Sequence, residues 1–272
     1  MSYARYYLDS CAAINLVDNE ISYFKLFKNT YVSKLLVDEW TKNLEKHYPR
    51  QRKQFLYLKE KGIIIDWRFC ETLLFLKPFG FQIEYSIREP KMCYDAVMKF
   101  ENYDDYIIDG KPDDIINNIA MVAIDKMREN IQKYYFNGIF FDLIYLKQNF
   151  NVKKPYLTKK YLLENYLNRG INILKDMELI NSKLEKEIYK RRGKLYYQSN
   201  KVLDYYINVT IELLKDNENL LKRNDASDLY YLLYLDRING DIFVTDDGNL
   251  RDICNMVEKN SAISLEEYLI YK

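Results

Sequence analysis

Acidic side chains follow two short apolar runs near opposite ends of this chain. Asp9 comes directly after the first run, and Thr245, Asp246 and Asp247 come directly after residues 242–244. If both runs are strands of one parallel sheet, their carboxyl ends meet at the same edge, which is where ligands bind in open α/β sheets. The sequence therefore predicts a cluster of acids at that edge.

Two further segments contribute acids to the predicted cluster. Asp225 and Asp228 are three residues apart and so share one face of a helix, and Glu39 lies about a turn and a half into another helix. Clustered carboxylates repel each other, and a divalent metal removes that conflict. Mg²⁺ or Mn²⁺ prefers oxygen ligands and, in paired sites, activates water and stabilises the leaving oxygen of a phosphodiester. The predicted chemistry is metal-assisted phosphodiester hydrolysis.

Short apolar runs alternate with helix-forming segments at both chain ends, which is typical of parallel strands joined by helices. The predicted strands are 3–8, 30–33, 242–244 and a short one at Ile263, and 63–65 could be another. The predicted helices at the two ends are 11–17, 34 to about 59, 225–237, 250–257 and 265–271. Ser264 and Glu267 have the spacing of a capping box for the last helix.

The middle of the chain has a different pattern, with apolar residues mostly at helical spacing. Pro112 with the two acids after it predicts a helix start, and apolar stripes predict further helices over 163–188 and 202–214. We therefore predict an α/β domain formed by residues 1–61 and 221–272, carrying a mostly α-helical insertion over 62–220.

Four segments resemble, in order, the four acidic motifs of PIN-domain nucleases. These segments are 6–11, 32–39, 224–228 and 243–250. The last two are the most specific, and the resemblance covers roughly residues 1–60 and 222–272. It implies a three-layer α/β/α domain with a central parallel sheet and Mg²⁺- or Mn²⁺-dependent cleavage of RNA, as in toxin-type endoribonucleases.

The resemblance also implies roles for individual residues. The catalytic, metal-holding acids would be Asp9, Glu39, Asp228 and Asp247. Asp225 and Asp246 match extra metal-binding acids beside the last two, and Thr245 matches a small hydroxyl residue at the strand end that faces the substrate. A metal-bound water would attack phosphorus in line and leave a 5′-phosphate and a 3′-hydroxyl. Taken singly, each acid is better explained as a helix cap, a turn or a solvated residue, and it is their joint occurrence in the order of the family motifs that favours a nuclease.

A short segment in the insertion could bind the RNA substrate. It joins cations to aromatic rings, as a groove that follows phosphates and stacks bases requires. The candidate residues are Lys190, Arg191, Arg192, Lys194 and Tyr196. Because Lys and Tyr are abundant throughout the chain, a solvated helix face explains this cluster equally well.

Composition restricts the remaining classes of function. The chain has 41 basic and 40 acidic residues, a net charge of +1, so any basic binding surface must be local. A single histidine, His47, excludes schemes with two imidazoles, and the motifs typical of ATP, dinucleotide, zinc-protease and serine-hydrolase sites are absent. The alternatives left open are a DNA or structure-specific nuclease and an inactive PIN-like scaffold that binds protein or RNA.

Cysteine spacing and hydropathy indicate the compartment. The four cysteines lie far apart, without metal-ligand spacing, and are expected to be buried or half-buried thiols in a reducing cytosol. No stretch reaches the roughly 18 apolar residues that a membrane span needs, so we expect a cytoplasmic protein that does not contact a membrane. The expected partners are RNA, an antitoxin or other protein, and a second copy of the chain through the insertion.

Overall fold

The computed structural model describes residues 4–19, 27–41, 44–68, 88–109, 144, 146–148, 155–176, 181–190, 192–215 and 228–271. The chain divides into two compact units. The first contains residues 1–68, 84–120 and 234–272, and the second contains residues 69–83 and 121–233. The first unit thus holds both chain ends together with residues 84–120, which lie within the predicted insertion. No helix in the described ranges is long and apolar enough to cross a membrane.

A parallel sheet organises the first unit, and the predicted α/β class is confirmed. Its strands are β1 (Tyr6–Leu8), β2 (Thr30–Ser33), β3 (Ile64–Asp66), β4 (Ile242–Val244) and β5 (Ala262–Ile263). They are ordered β3-β2-β1-β4-β5, and every neighbouring pair is parallel. The predicted strands at 30–33 and 242–244 are confirmed, whereas β1 is shorter than predicted.

Helices connect the strands, and further helices lie in the described part of the second unit. They are α1 (Ser10–Asp18), α2 (Lys34–Thr41), α3 (Leu44–Glu60), α4 (Arg88–Lys99), α5 (Tyr103–Asp109), α6 (Pro155–Asp176), α7 (Ser182–Lys190), α8 (Arg192–Lys215), α9 (Gly248–Val257) and α10 (Leu265–Tyr271). Ser264 and Glu267 exchange the two hydrogen bonds of a capping box, which confirms the predicted start of α10.

Two predicted helix lengths were wrong. The segment 34–59 forms two helices, α2 and α3, instead of one. In the segment 225–237, the described α-helix covers only 228–231 and continues as a 3₁₀ turn at Leu232–Tyr234. The chain then turns because Asp236 accepts a hydrogen bond from the Asn239 amide and Gly240 takes a left-handed conformation with φ of 78°. The predicted helix start at Pro112 lies outside the described residues.

One face of the sheet forms the main apolar core. Leu8, Val32 and Val244 are fully buried there, in a cluster with side chains from α1, α2, α3 and α10. Cys254 is buried on α9, but Cys11 is exposed, so the prediction that the thiols are buried or half-buried was wrong for Cys11.

The opposite face carries a polar and aromatic network. The rings of Tyr7 and Tyr31 stack with their centroids 5.2 Å apart, and the Arg5 guanidinium lies 5.7 Å from each centroid. Arg5 also donates two hydrogen bonds to Asp241, at 2.9 Å from Nε and 2.6 Å from Nη2. Asp241 is only 1% exposed, and its carboxylate also accepts a hydrogen bond from the Asp236 amide at 2.8 Å, so Arg5 supplies the ion pair and the backbone a further donor.

Helices α6 and α8 pack together in the second unit. The stripe predicted over 163–188 runs along α6 and α7, and the stripe predicted over 202–214 lies in α8. Leu163 is buried on α6, and α8 buries Leu203, Ile207 and Leu214. Lys159 and Asp204 form an ion pair between the two helices.

The ion pair between Arg5 and Asp241 gives a first test of the fold. Arg5→Met leaves a buried carboxylate without its cation and should lower the free energy of unfolding by about 2–3 kcal/mol. Arg50→Met is the control, since Arg50 and Asp18 pair with side chains 59% and 48% exposed and should contribute less than about 1 kcal/mol. Urea unfolding of both variants measures the difference, and equal losses would contradict a supporting role for Arg5.

Candidate active site

The strand order places a crevice between β1 and β4. The chain builds β1, β2 and β3 outward in one direction, then returns to place β4 on the other side of β1. At such a reversal, the helices that follow the two neighbouring strands lead away in different directions, and ligands bind outside the carboxyl ends of those strands. Asp9 ends β1, and Thr245, Asp246 and Asp247 follow β4.

Strand register brings Asp9 and Thr245 together. Leu8 is paired with Val244, so the next residues of the two strands are neighbours on the same face. The Thr245 hydroxyl donates a hydrogen bond to Oδ2 of Asp9, and the Ala12 amide donates to Oδ1 at 2.7 Å. Asp9 therefore caps α1, and both of its carboxylate oxygens are held in place.

The carboxylate of Asp9 is under electrostatic strain. Burial raises the pKa of Asp9 to about 6, because only 7% of the residue is exposed. The hydrogen bonds from Thr245 and Ala12 oppose this rise, whereas the charges of Asp246 and Asp247 add to it. Asp246 and Asp247 are therefore close enough for their charges to disfavour the ionised form of Asp9.

Asp246 and Asp247 are exposed but fixed by the backbone around them. Oδ1 of Asp247 accepts from the Leu250 amide at 2.9 Å and caps α9. Asp246 accepts from the Leu265 amide at 3.0 Å and from Nδ2 of Asn15 at 2.7 Å, so it links α1 to the start of α10. Asp247, for which a turn was the ordinary explanation, therefore caps α9, and both acids lie directly after the carboxyl end of β4.

The row of register partners that contains Thr245 and Asp9 continues onto β2 and β3. Two residues of this row were not predicted from the sequence. Ser33 is paired with Asp66, and Ser33 also comes next to Asp9 in the register of β1 and β2. The Ser33 hydroxyl is buried and has no hydrogen-bond partner among the residues that the structure describes. Asp66 is held by Arg68 at 2.5 Å and by the Tyr7 hydroxyl at 2.9 Å. The sequence left a strand at 63–65 open, and the rule that found Asp9 finds Asp66 only once that strand is accepted.

On the β2 and β3 side of the sheet, the acids at the carboxyl edge are paired with basic side chains. Burial alone would raise the pKa of Asp66, but the hydrogen bonds and charge of Arg68 hold it below its usual value. On α2, Lys34 and Asp38 form a largely buried ion pair of 2.5 Å. The unbalanced negative charge of the described edge therefore lies around Asp9, Asp246 and Asp247.

The remaining predicted site residues lie on other elements or outside the described residues. Glu39 is half-buried on α2, and Asp228 is partly exposed in the second compact unit. Asp225 and Arg191 lie outside the described residues. Lys190 is exposed at the end of α7, and Arg192, Lys194 and Tyr196 lie in the first two turns of α8.

The donor atoms of the cluster determine whether it could hold a metal ion. Carboxylate oxygens are the ligands that Mg²⁺ and Mn²⁺ prefer, and the repulsion acting on Asp9 is what a cation would relieve. Within the described ranges, however, no three His, Cys, Asp or Glu side chains are grouped closely enough to hold an ion. The described acids thus fit a metal in the type of their oxygen donors, but the described residues do not form a complete group of ligands.

Comparison of the chain with protein-family models, with curated proteins and with solved structures found no match.

The raised pKa of Asp9 predicts a pH-dependent stability. Because its folded pKa of about 6 exceeds the unfolded value near 3.9, the folded state holds the proton more tightly, and stability is lost as pH rises through this window. Between about pH 5 and about pH 7.5 the loss should reach about 1.4 kcal/mol in the wild type and be absent in Asp9→Asn. Urea unfolding of both proteins in EDTA measures this loss. If the free energies of unfolding of the two proteins differ by the same amount at both pH values, the pKa of Asp9 is not raised.

Proposed function

We propose that this protein is a metal-dependent endoribonuclease that hydrolyses RNA phosphodiester bonds at the crevice between β1 and β4. The observation that carries the proposal is the convergence of Asp9, Asp246 and Asp247 at the reversal point of a parallel sheet. The resemblance of the sequence motifs to PIN-domain nucleases supplies the reaction class, and the described geometry is compatible with it.

The proposed metal is Mg²⁺ or Mn²⁺, with Asp9 and Asp247 as its ligands in the described cluster. Asp246 is a further candidate, and Glu39, Asp225 and Asp228 stay predicted ligands. When bound, such an ion activates a water and stabilises the leaving oxygen.

The residues around the acids keep them oriented for this role. Thr245 fixes one oxygen of Asp9 and also accepts a hydrogen bond from the Asp247 amide at 3.1 Å, so a single hydroxyl links the two acids. The Ala12 amide donates a hydrogen bond to the other oxygen of Asp9, and the Leu250 amide donates one to Oδ1 of Asp247. Because helices and strands, rather than flexible side chains alone, set these positions, the acids are preorganised for a ligand.

The finer predictions belong to the same proposal. They are a three-layer PIN-like arrangement of the α/β domain, a domain boundary near residues 61 and 221, a cytoplasmic location, and a toxin or defence context with an antitoxin, another protein or a second copy as partner. A basic segment at Lys190–Tyr196 would bind the RNA.

One observation favours the inactive alternative. The described residues do not complete a three-acid group, so a PIN-like scaffold that binds RNA or protein without cleavage is the second candidate. Activity measurements separate the two, and comparing single-stranded RNA with DNA separates an endoribonuclease from a DNA or structure-specific nuclease.

Cleavage assays on variants test the proposed function. Asp9→Asn and Asp247→Asn should each lower the cleavage rate of a single-stranded RNA at least about 100-fold, since each removes a charged ligand, and EDTA should abolish cleavage by the wild type. Asp252→Asn is the matched control, because Asp252 is an exposed acid on α9 outside the cluster, and it should retain activity. Unchanged cleavage by Asp9→Asn, or full activity in excess EDTA, would refute the mechanism.

A further inference from the structure

The crevice needs a positive side chain as well as acids, because its proposed substrate is a polyanion. Two cations near the carboxyl edge, Lys34 and Arg68, are each engaged by a carboxylate at 2.5 Å. Arg251 differs from them. Within the described parts of the chain, no carboxylate lies within ion-pair distance of its guanidinium, although it is only partly exposed.

Arg251 lies one helical turn beyond Asp247, and its amide donates to the Asp247 carbonyl at 3.0 Å. Residues four apart share a helix face, so Arg251 is on the same face of α9 as the cluster acid. Side chains on a helix lean toward its N-terminus, which here is the end that faces the crevice.

The guanidinium of Arg251 lies close to Gly248. A Cβ atom on Gly248 would lie 3.8 Å from Nη2 of Arg251, so the guanidinium is folded back over the first turn of α9. It also lies close enough to Glu267 for its charge to contribute, after the hydrogen bonds from Ser264, to the lowered pKa of that residue. The guanidinium thus lies at the start of α9, close to Gly248 and within electrostatic reach of Glu267 on α10.

We propose that Arg251 binds a backbone phosphate of the RNA held at the acidic cluster. A guanidinium presents planar, paired donors that match two phosphate oxygens, and no carboxylate of the described residues is paired with this one. Since phosphates carry no sequence information, the contact would position any single-stranded RNA rather than select a sequence. The inference rests on the proposed function and adds a substrate-binding residue to it.

Binding measurements in an Asp9→Asn background test this without cleavage. With a labelled single-stranded RNA oligonucleotide, adding Arg251→Gln should weaken binding roughly tenfold or more and lower the slope of log K against log salt by about 1. The RNA affinity of Arg251→Lys should fall between that of the Asp9→Asn background and that of the Arg251→Gln variant, because lysine keeps the charge but loses the paired donors. The thermal midpoint should change by less than about 2 °C, since no described ion pair is lost.

Lys259→Gln is the matched control. It removes the same charge from an exposed position just beyond the opposite end of α9, and it should weaken binding by less than about twofold. If the wild type cleaves RNA but Arg251→Gln behaves like Lys259→Gln, the role of Arg251 is refuted and the proposed function stands. If the protein neither binds nor cleaves RNA, the proposed function fails and this inference fails with it.

Discussion

The candidate site depends on holding an ionised carboxylate at a buried strand end beside two other acids. Burial and repulsion both favour the protonated form of Asp9, and two hydrogen bonds from fixed donors oppose them. These donors are available only because β1 and β4 pair in one register, since a shift by one residue would turn Thr245 to the other face of the sheet. The pairing of β1 with β4 therefore sets both the fold and the chemistry of the crevice.

Charge is distributed unevenly along the carboxyl edge of the sheet. On the β2 and β3 side, Asp38 and Asp66 are paired with cations that come from the same local segment. On the β1 and β4 side, the acids receive hydrogen bonds from amides and a hydroxyl, which orient a carboxylate without cancelling its charge. An edge built in this way is neutral where it supports the sheet and negative at the crevice, which is the distribution that a cation-binding site requires.

Local patterns predicted the elements better than their ends or their contacts. The strands at 30–33 and 242–244 and the capping box of α10 depend on a few consecutive residues, and they were predicted correctly. Strand order is set by contacts between distant residues, and Asp9 and Thr245 are 236 positions apart. Asp66 was missed because its strand is short, and the helix predicted over 225–237 was too long because its apolar spacing continues into a 3₁₀ turn.

Ser33 is stronger evidence than any single acid that this edge of the sheet is arranged for a ligand. A buried hydroxyl without a hydrogen bond costs about 1–3 kcal/mol relative to a paired one, and alanine would fill nearly the same volume without that cost. Among the described strand residues, Ser33 is the only one with such a side chain, and in the register of the sheet it lies next to Asp9, the acid whose charge is disfavoured there. Helix capping explains why an acid lies at the start of a helix, but it requires neither the burial of Asp9 nor an unpaired hydroxyl beside it. Two neighbouring positions that both lower stability are expected where side chains are arranged for a ligand.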